Sequence, residues 1–249
     1  MRLTGAVVLV TGASSGIGAA VVRRLTRAGS QVLAVGRHPE RLTRLADETG
    51  AAALPADLAR PDAGRDLAER VLARHPRVDV LVNNAGVGWA GPFAEMPDGA
   101  ADELIAVNLR APIELTRALL PGMCRHGGHL AFVGSIAGRL GVGQEAVYAA
   151  SKAGLDIFAQ SLRLELARHR VTVSVVVPGV VDTPFFARRG QAYHRRRPRP
   201  LPPERVADAL AAAIVRDRAE VYVPGWLRLP VAVRALQPAV YRRLAARFG

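Results

Sequence analysis

Ser135, Tyr148 and Lys152 bring a hydroxyl, a phenol and a primary amine into one short stretch of chain. Together such groups can polarise a carbonyl oxygen and move a proton to or from it. Tyr148 and Lys152 are four residues apart, so on a helix they share a face. A phenol titrates near about 10, and an ammonium about 4 Å away contributes roughly 4 kcal/mol at an effective dielectric of about 20, or about 3 pKa units. That shift makes Tyr148 a proton donor and acceptor near neutral pH. A solvated Tyr–Lys pair on a helix surface is the plainer reading of the same spacing. Composition favours the chemical one, because Lys152 is the lone lysine among 34 Lys and Arg residues. The chain keeps a compact, titratable amine at this position, where a rigid guanidinium could not do the same work.

To meet, these groups need a strand end facing a helix. Ser135 follows the apolar run Leu130 to Val133, and Tyr148 opens a long helical pattern. Similar apolar runs occur at Ala6–Val10, Gln31–Val35, Ala51–Ala56, Val78–Val82, Val171–Val177 and Glu220–Val223. Helical patterns alternate with them, at Gly16–Ala28, Glu40–Glu48, Gly64–Arg74, Gly99–Arg125, Ala146–His169 and Pro203–Arg216. Unbroken Val, Leu and Ala runs suit parallel strands buried on both faces, and the intervening segments are long enough for crossover helices. The expected fold is α/β, a single-domain, doubly wound Rossmann-type parallel sheet of about seven strands with helices on both faces. Residues 1–225 are expected to form the dinucleotide-binding and catalytic body, with 226–249 a helical extension of the same domain.

Half of the 249 residues are apolar, enough for one sizeable core. The net charge of +13 invites a nucleic-acid reading, but the arginines are spread along the chain with no motif and no aromatic interleaving. They are locally dense at Arg188 to Arg199 and after Arg228. A single cysteine, Cys124, excludes an internal disulfide and a cysteine-rich metal site, and fits a reducing, cytoplasmic compartment. The apolar run after Met1-Arg2 is too short for a signal peptide and is read as the first strand.

That strand leads into Thr11-Gly12-Ala13-Ser14-Ser15-Gly16-Ile17-Gly18, which opens the first helix. Glycines there let a pyrophosphate approach the backbone and the helix N-terminus. After the second strand comes Gly36-Arg37 in place of the Asp or Glu that suits the ribose hydroxyls of NAD. Arg37 suits the 2′-phosphate of NADP, so NADP(H) is expected to be preferred, with NAD(H) possible. Asp57-Leu58 closes the third strand, where the carboxylate either meets the adenine amino group or caps the next helix. The fourth strand ends in Asn83-Asn84-Ala85-Gly86, at the sheet edge where open α/β folds bind ligands. Asn84 has two readings there, direct contact or bracing of the turn. Asn108 lies inside the next helix, where Asn has poor propensity. It bends the helix, holds a water beside Lys152, or does both.

In this order, Thr11–Gly18, Asn83–Gly86, Asn108, Ser135, Tyr148 and Lys152 resemble the short-chain dehydrogenase/reductase family, over residues 3 to about 225. Pro178-Gly179-Val180-Val181-Asp182-Thr183 resembles its turn after the sixth strand. The resemblance implies that Ser135 and Tyr148 bind a substrate carbonyl oxygen, that Tyr148 exchanges its proton, and that Lys152 lowers the phenol pKa and holds the nicotinamide ribose. It further implies a water relay at Asn108, carboxamide contacts from Thr183 and the backbone near Val181, and a homodimer or homotetramer through the helices around Asn108 and Tyr148. One departure is Ser15, where many NADP-dependent members carry a basic residue.

Substrate is expected between Val87–Phe93, Ile136–Ala146 and Phe185–Pro203, loops that mix Trp89, Phe93, Leu140, Val142, Phe185 and Phe186 with Gln144, Glu145 and arginines. An apolar or lipid-like carbonyl or alcohol fits best. A ketoreductase of carrier- or coenzyme-A-bound acyl thioesters is the alternative within enzymes, drawn from Arg188, Arg189, Arg195, Arg196, Arg197 and Arg199. A non-catalytic NADP-binding sensor is the alternative of another class. Beyond Trp226, the stripe Leu229, Val233, Leu236, Val240 and Leu244 is helical, with Pro230 a start and Pro238 a break. With Arg234, Arg242, Arg243 and Arg247 on its other surface, it either packs in the protein or an interface, or makes a peripheral contact with an anionic membrane.

Overall fold

The computed structural model of the protein describes residues 1–191, 193 and 198–248, with the side chains of 244 and 246–248 outside the description. Seven strands, β1 (Val7–Thr11), β2 (Gln31–Gly36), β3 (Ala52–Pro55), β4 (Val80–Asn83), β5 (Gly128–Val133), β6 (Val171–Pro178) and β7 (Glu220–Val223), form one sheet in the order β3-β2-β1-β4-β5-β6-β7. Every neighbouring pair is parallel. Strand order reverses between β1 and β4, which opens a crevice at the carboxyl ends of those strands.

The central strands are largely apolar because both faces are covered, and alternate residues feed two separate cores. Val8, Val10, Val80, Val82, Ala131 and Val133 pack with α1 (Gly16–Arg27) and α2 (Pro39–Thr49), on the face that also takes Val206 and Leu210. Leu9, Leu81, Leu130 and Phe132 pack on the opposite face, against Leu67, Leu115, Leu119 and Leu155. Those four residues belong to α3 (Ala63–Leu72), α5 (Ala111–His126) and α7 (Ala146–Glu165), whereas Val206 and Leu210 belong to α9 (Pro203–Arg216). Truncating one such fully buried leucine to alanine costs about 2–5 kcal/mol.

The expected helix over Gly99–Arg125 is unbroken but not α-helical throughout. It runs as α4 (Ala100–Ile105), a π-helical turn at Ala106–Arg110, and α5. Two short helices escape the sequence pattern, α6 (Ile136–Leu140) and α8 (Phe185–Arg188). The C-terminal stripe divides into α10 (Arg228–Leu236) and α11 (Pro238–Phe248). Pro238 breaks it as expected, but the first helix begins at Arg228, because Pro230 falls within its first turn, where a missing N–H costs nothing. Arg234 donates to the carbonyl of Arg139, and Tyr241 Oη donates to the carbonyl of Leu140 at 2.9 Å, so both helices lie against α6. Among the described residues, no helix is long and apolar enough to cross a membrane.

Candidate active site

Site residues come from the carboxyl ends of the strands. Thr11, the last residue of β1, accepts hydrogen bonds at Oγ1 from the Asn84 and Ala85 backbone N–H groups, both at 3.0 Å. Asn84 Nδ2 returns to the Thr11 carbonyl at 2.8 Å and the Gly12 carbonyl at 3.3 Å. Asn84 therefore braces the β1 and β4 turns against each other. The glycine-rich turn is packed too tightly for side chains. A Cβ on Gly12 would lie 2.7 Å from Ala85 Cα, and one on Gly18 would lie 2.2 Å from the Gly12 carbonyl oxygen. Gly16 has φ +55°, and a Cβ there would meet Thr183 Cγ2 at 2.9 Å. These three positions thus admit no side chain, which holds the turn close against the residues after β4 and Thr183 with the start of α1 at the crevice.

This turn borders a cavity of ≈740 Å³, large enough for an extended cofactor together with part of a substrate. Gly12, Ser14, Ser15, Gly16, Ile17, Gly18, Arg37, Asp57, Leu58, Asn84, Ala85 and Gly86 line one part of it, and Pro178, Gly179, Val181 and Thr183 line another. Ser135, Tyr148 and Lys152 also line it, so every predicted site residue except Asn108 borders one space. The exposed Asp57 accepts from the Ala59 N–H at 3.0 Å in a local turn, while α3 starts at Ala63 behind Asp62. The helix-capping reading of Asp57 is thereby corrected.

Asn108 is fully buried in the π-helical turn. Its Oδ1 accepts from the Val87 N–H at 2.9 Å, and its Nδ2 donates to the Val87 carbonyl at 3.0 Å and to Ser151 Oγ at 3.0 Å. The amide thus joins the loop after β4 to α7, a demand that explains the widened turn. A Cβ on Gly86 would lie 3.4 Å from both Asn108 Oδ1 and Lys152 Nζ, which makes those two groups neighbours.

Ser135 caps α6, its Oγ accepting from the Ala137 N–H at 3.2 Å, and its hydroxyl is near enough to the Tyr148 phenol to favour the phenolate. Tyr148 and Lys152 are 8 % and 4 % exposed, which rules out a solvated surface pair. Burial pushes the Tyr148 phenol up to about 12, against the lowering effect of Ser135. Burial also lowers the Lys152 ammonium to about 8. Nζ donates to the Val133 carbonyl at 3.0 Å. The sequence argument, in which a nearby ammonium depresses the phenol, is corrected on this point: desolvation dominates both groups, and the amine is engaged by the end of β5.

The far wall is apolar. Leu140, Val142, Phe185, Phe186, Trp226, Leu227 and Pro230 face the cavity, and the Phe185 and Tyr148 rings lie 5.3 Å apart. Trp226, Leu227 and Pro230 were not expected there, since the sequence marked them only as the start of the C-terminal helical tail. Trp89 and Phe93 do not line the cavity; Trp89 covers Gly91, and Phe93 is 68 % exposed. Arg139 is turned away as well, paired with Asp156 at 2.5 Å and Glu220 at 2.6 Å. Arg189 pairs with the half-buried Glu145 and stacks over the Phe186 ring, and Arg188 reaches Ser15. The predicted Arg195, Arg196 and Arg197 lie outside the described residues. Among the described residues, no group of His, Cys, Asp or Glu could hold a metal ion.

Comparison with known proteins agrees with this geometry. The family model for short chain dehydrogenases matches residues 6–194. A dehydrogenase/reductase SDR family protein 7-like of Drosophila melanogaster is 31% identical, with 96% of this chain and 79% of that protein covered. The 3-oxoacyl-acyl-carrier-protein reductase of Escherichia coli is 35% identical, covering 74% of this chain and 76% of the relative. Among solved structures, a short-chain dehydrogenase from Sphingobium yanoikuyae in complex with NADPH superposes with a TM-score of 0.81, at 31% identity, over 94% of this chain and 95% of that one.

Proposed function

The chain belongs to the short-chain dehydrogenase/reductase family and is an NAD(P)-dependent oxidoreductase of it, and on that premise we propose that it interconverts a ketone or aldehyde with the corresponding alcohol, preferring NADP(H). The observation that carries this reading is that Ser135 and the buried Tyr148 and Lys152 line one cavity together with the glycine-rich turn. A nicotinamide cofactor fits that turn: Gly12, Gly16 and Gly18 leave backbone donors for the pyrophosphate, and Arg37 stands where the ribose is expected. When bound, it supplies the hydride to the carbonyl carbon.

The protein's own part is orientation and proton transfer. Ser135 and Tyr148 line the same cavity, near enough for Ser135 to act on the phenol, so both can address one carbonyl oxygen. At neutral pH a phenol with a pKa of about 12 is protonated, the form that gives its proton to the developing alkoxide. Lys152 lies one helical turn from Tyr148, and its buried ammonium would stabilise the phenolate left behind. A water between Asn108 Oδ1 and Lys152 Nζ would return a proton to the site.

Substrate class follows from the wall. Leu140, Val142, Phe185, Phe186 and Trp226 favour an apolar or lipid-like substrate, and the similarity to a 3-oxoacyl-carrier reductase supports the thioester alternative. A panel of free ketones and acyl thioesters, each run with NADPH and NADH at the nicotinamide absorbance, tests the proposal. Turnover of apolar ketones with NADPH is expected, and no NADPH consumption with any member would leave a non-catalytic binding role.

Assembly through α5 and α7 is part of the same reading. Ile157 and Leu164 on α7 are 61% and 80% exposed, beside a groove lined by Ile113, Leu120 and Phe158. A peripheral membrane contact is favoured by one observation, that Leu229 and Leu236 on α10 are 68% and 78% exposed in a chain with net charge +13.

A further inference from the structure

The glycine-rich turn carries Ser15 immediately before Gly16. Its Oγ accepts a 2.6 Å hydrogen bond from Arg188 Nη2, a residue 173 positions away in the chain. Arg188 ends α8, and its Nε donates to the Pro184 carbonyl at 3.3 Å, which turns the guanidinium back over the turn. Ser15, Arg37, His38 and Arg188 line the same cavity. A Cβ on Gly36 would lie 3.2 Å from Ser14 Oγ, so the end of β2 abuts the turn and brings Arg37 beside it. Partial burial and the charges of Arg41 and Arg37 hold the Arg188 guanidinium below its ordinary value, and burial and the same arginines lower His38.

Charge is not balanced here. Glu103 pairs with Arg37 at 3.1 Å, and among the described residues no carboxylate pairs with Arg188 or Arg41. Arg188 on the Ser15 hydroxyl and Arg37 on the same cavity, with Arg41 close enough for its charge to be felt by Arg188 and a single carboxylate at Arg37, form a site for a compact anion that accepts charge-assisted hydrogen bonds. A phosphate monoester has that form, and an inward-facing carboxylate beside Arg37 leaves one guanidinium only partly available to it.

We propose that Arg188, delivered from the segment after β6, is the second cationic contact to the 2′-phosphate of NADP(H), supplying across Ser15 the positive charge that the glycine turn itself lacks. This rests on the NADP preference proposed above. It also places a cofactor-discriminating residue three positions after Phe185, whose ring lies tilted against Tyr148, so that one short helix touches both ends of the site.

Equilibrium dissociation constants for NADPH, NADH, 2′,5′-ADP and 5′-ADP, measured by titration calorimetry on wild type, Arg188→Ala, Arg188→Lys, Arg37→Ala and Arg188→Ala/Ser15→Arg, test the proposal. Losing one charge-assisted contact should reduce the NADPH-to-NADH affinity ratio by roughly 10- to 100-fold in Arg188→Ala. The same fall is expected in the 2′,5′-ADP-to-5′-ADP ratio, with part retained by Arg188→Lys and most restored by Ser15→Arg. A ratio within twofold of wild type in Arg188→Ala, while Arg37→Ala loses it, overturns the role of Arg188 alone. A wild type that does not distinguish 2′,5′-ADP from 5′-ADP overturns the NADP preference itself, and the role of Arg188 with it.

Discussion

Replacing Lys152 with methionine should make the protein more stable at neutral pH while disabling it. The amine is 4 % exposed, and burial alone lowers it from 10.5 to about 8. A shift of that size corresponds to about 3 kcal/mol of desolvation, against which the hydrogen bond to the Val133 carbonyl returns about 1 kcal/mol. Methionine keeps the length and apolar stem, so Lys152→Met should gain about 2 kcal/mol at pH 7, or about 4–8 °C in Tm for a chain of this size. The pH dependence follows from the direction of the shift. Below pH 8 the amine is charged in both folded and unfolded chains, and the full burial penalty is present. Between pH 8 and 10.5 the folded protein releases a proton that the unfolded chain keeps, so wild type gains stability relative to the variant. Above pH 10.5 the gap should have closed. Chemical denaturation of both proteins from pH 6.5 to 10.5, with carbonyl-reductase turnover measured in parallel, reads both consequences. A variant less stable than wild type at pH 7, or a stability gap that does not change with pH, would refute the reasoning that burial dominates this amine.

Two further outcomes concern surfaces. Ile157→Glu/Leu164→Glu should shift the protein to a smaller species in light scattering after size exclusion, with its Tm reduced; an unchanged mass assigns assembly, if present, to another face. Wild type should co-sediment with anionic phosphatidylserine vesicles at low salt and be released at high salt, and Leu229→Asp/Leu236→Asp should not pellet. No pelleting of wild type at low salt removes the membrane reading and leaves this face to packing between proteins.

The architecture was legible because the central strands are buried on both faces. Val7–Thr11 and Val171–Pro178 read as unbroken apolar runs, and a short glycine-rich turn after the first of them signals backbone approach rather than side-chain chemistry. Tyr148 and Lys152 were legible as a pair because helix spacing alone places them on one face. What the sequence concealed depends on distant partners. The π-helical turn at Asn108 is set by Val87 and Ser151, and neither is near Asn108 in sequence. Arg139 looked like part of the substrate wall, but Asp156 and Glu220 draw it away. Arg188 read as one member of the arginine cluster that suits an acyl carrier or coenzyme A, and its hydrogen bond to Ser15 spans 173 positions. α6 has five residues, too few to show a helical period, although its Ser135 cap and Gly141 stop are present. The phenol's pKa was misread for a related reason. Proximity to Lys152 is visible in spacing, whereas desolvation depends on everything packed around the ring.

The central claim is that Tyr148, buried and protonated beside Ser135, gives its proton to the substrate oxygen. Single-turnover oxidation of bound NADPH by a reducible ketone in Tyr148→Phe, with NADPH affinity measured on the same protein, addresses it directly. The account predicts a loss of about 10²–10⁴ in rate with NADPH affinity little changed. A phenylalanine variant that binds NADPH and retains most of the wild-type rate would contradict it.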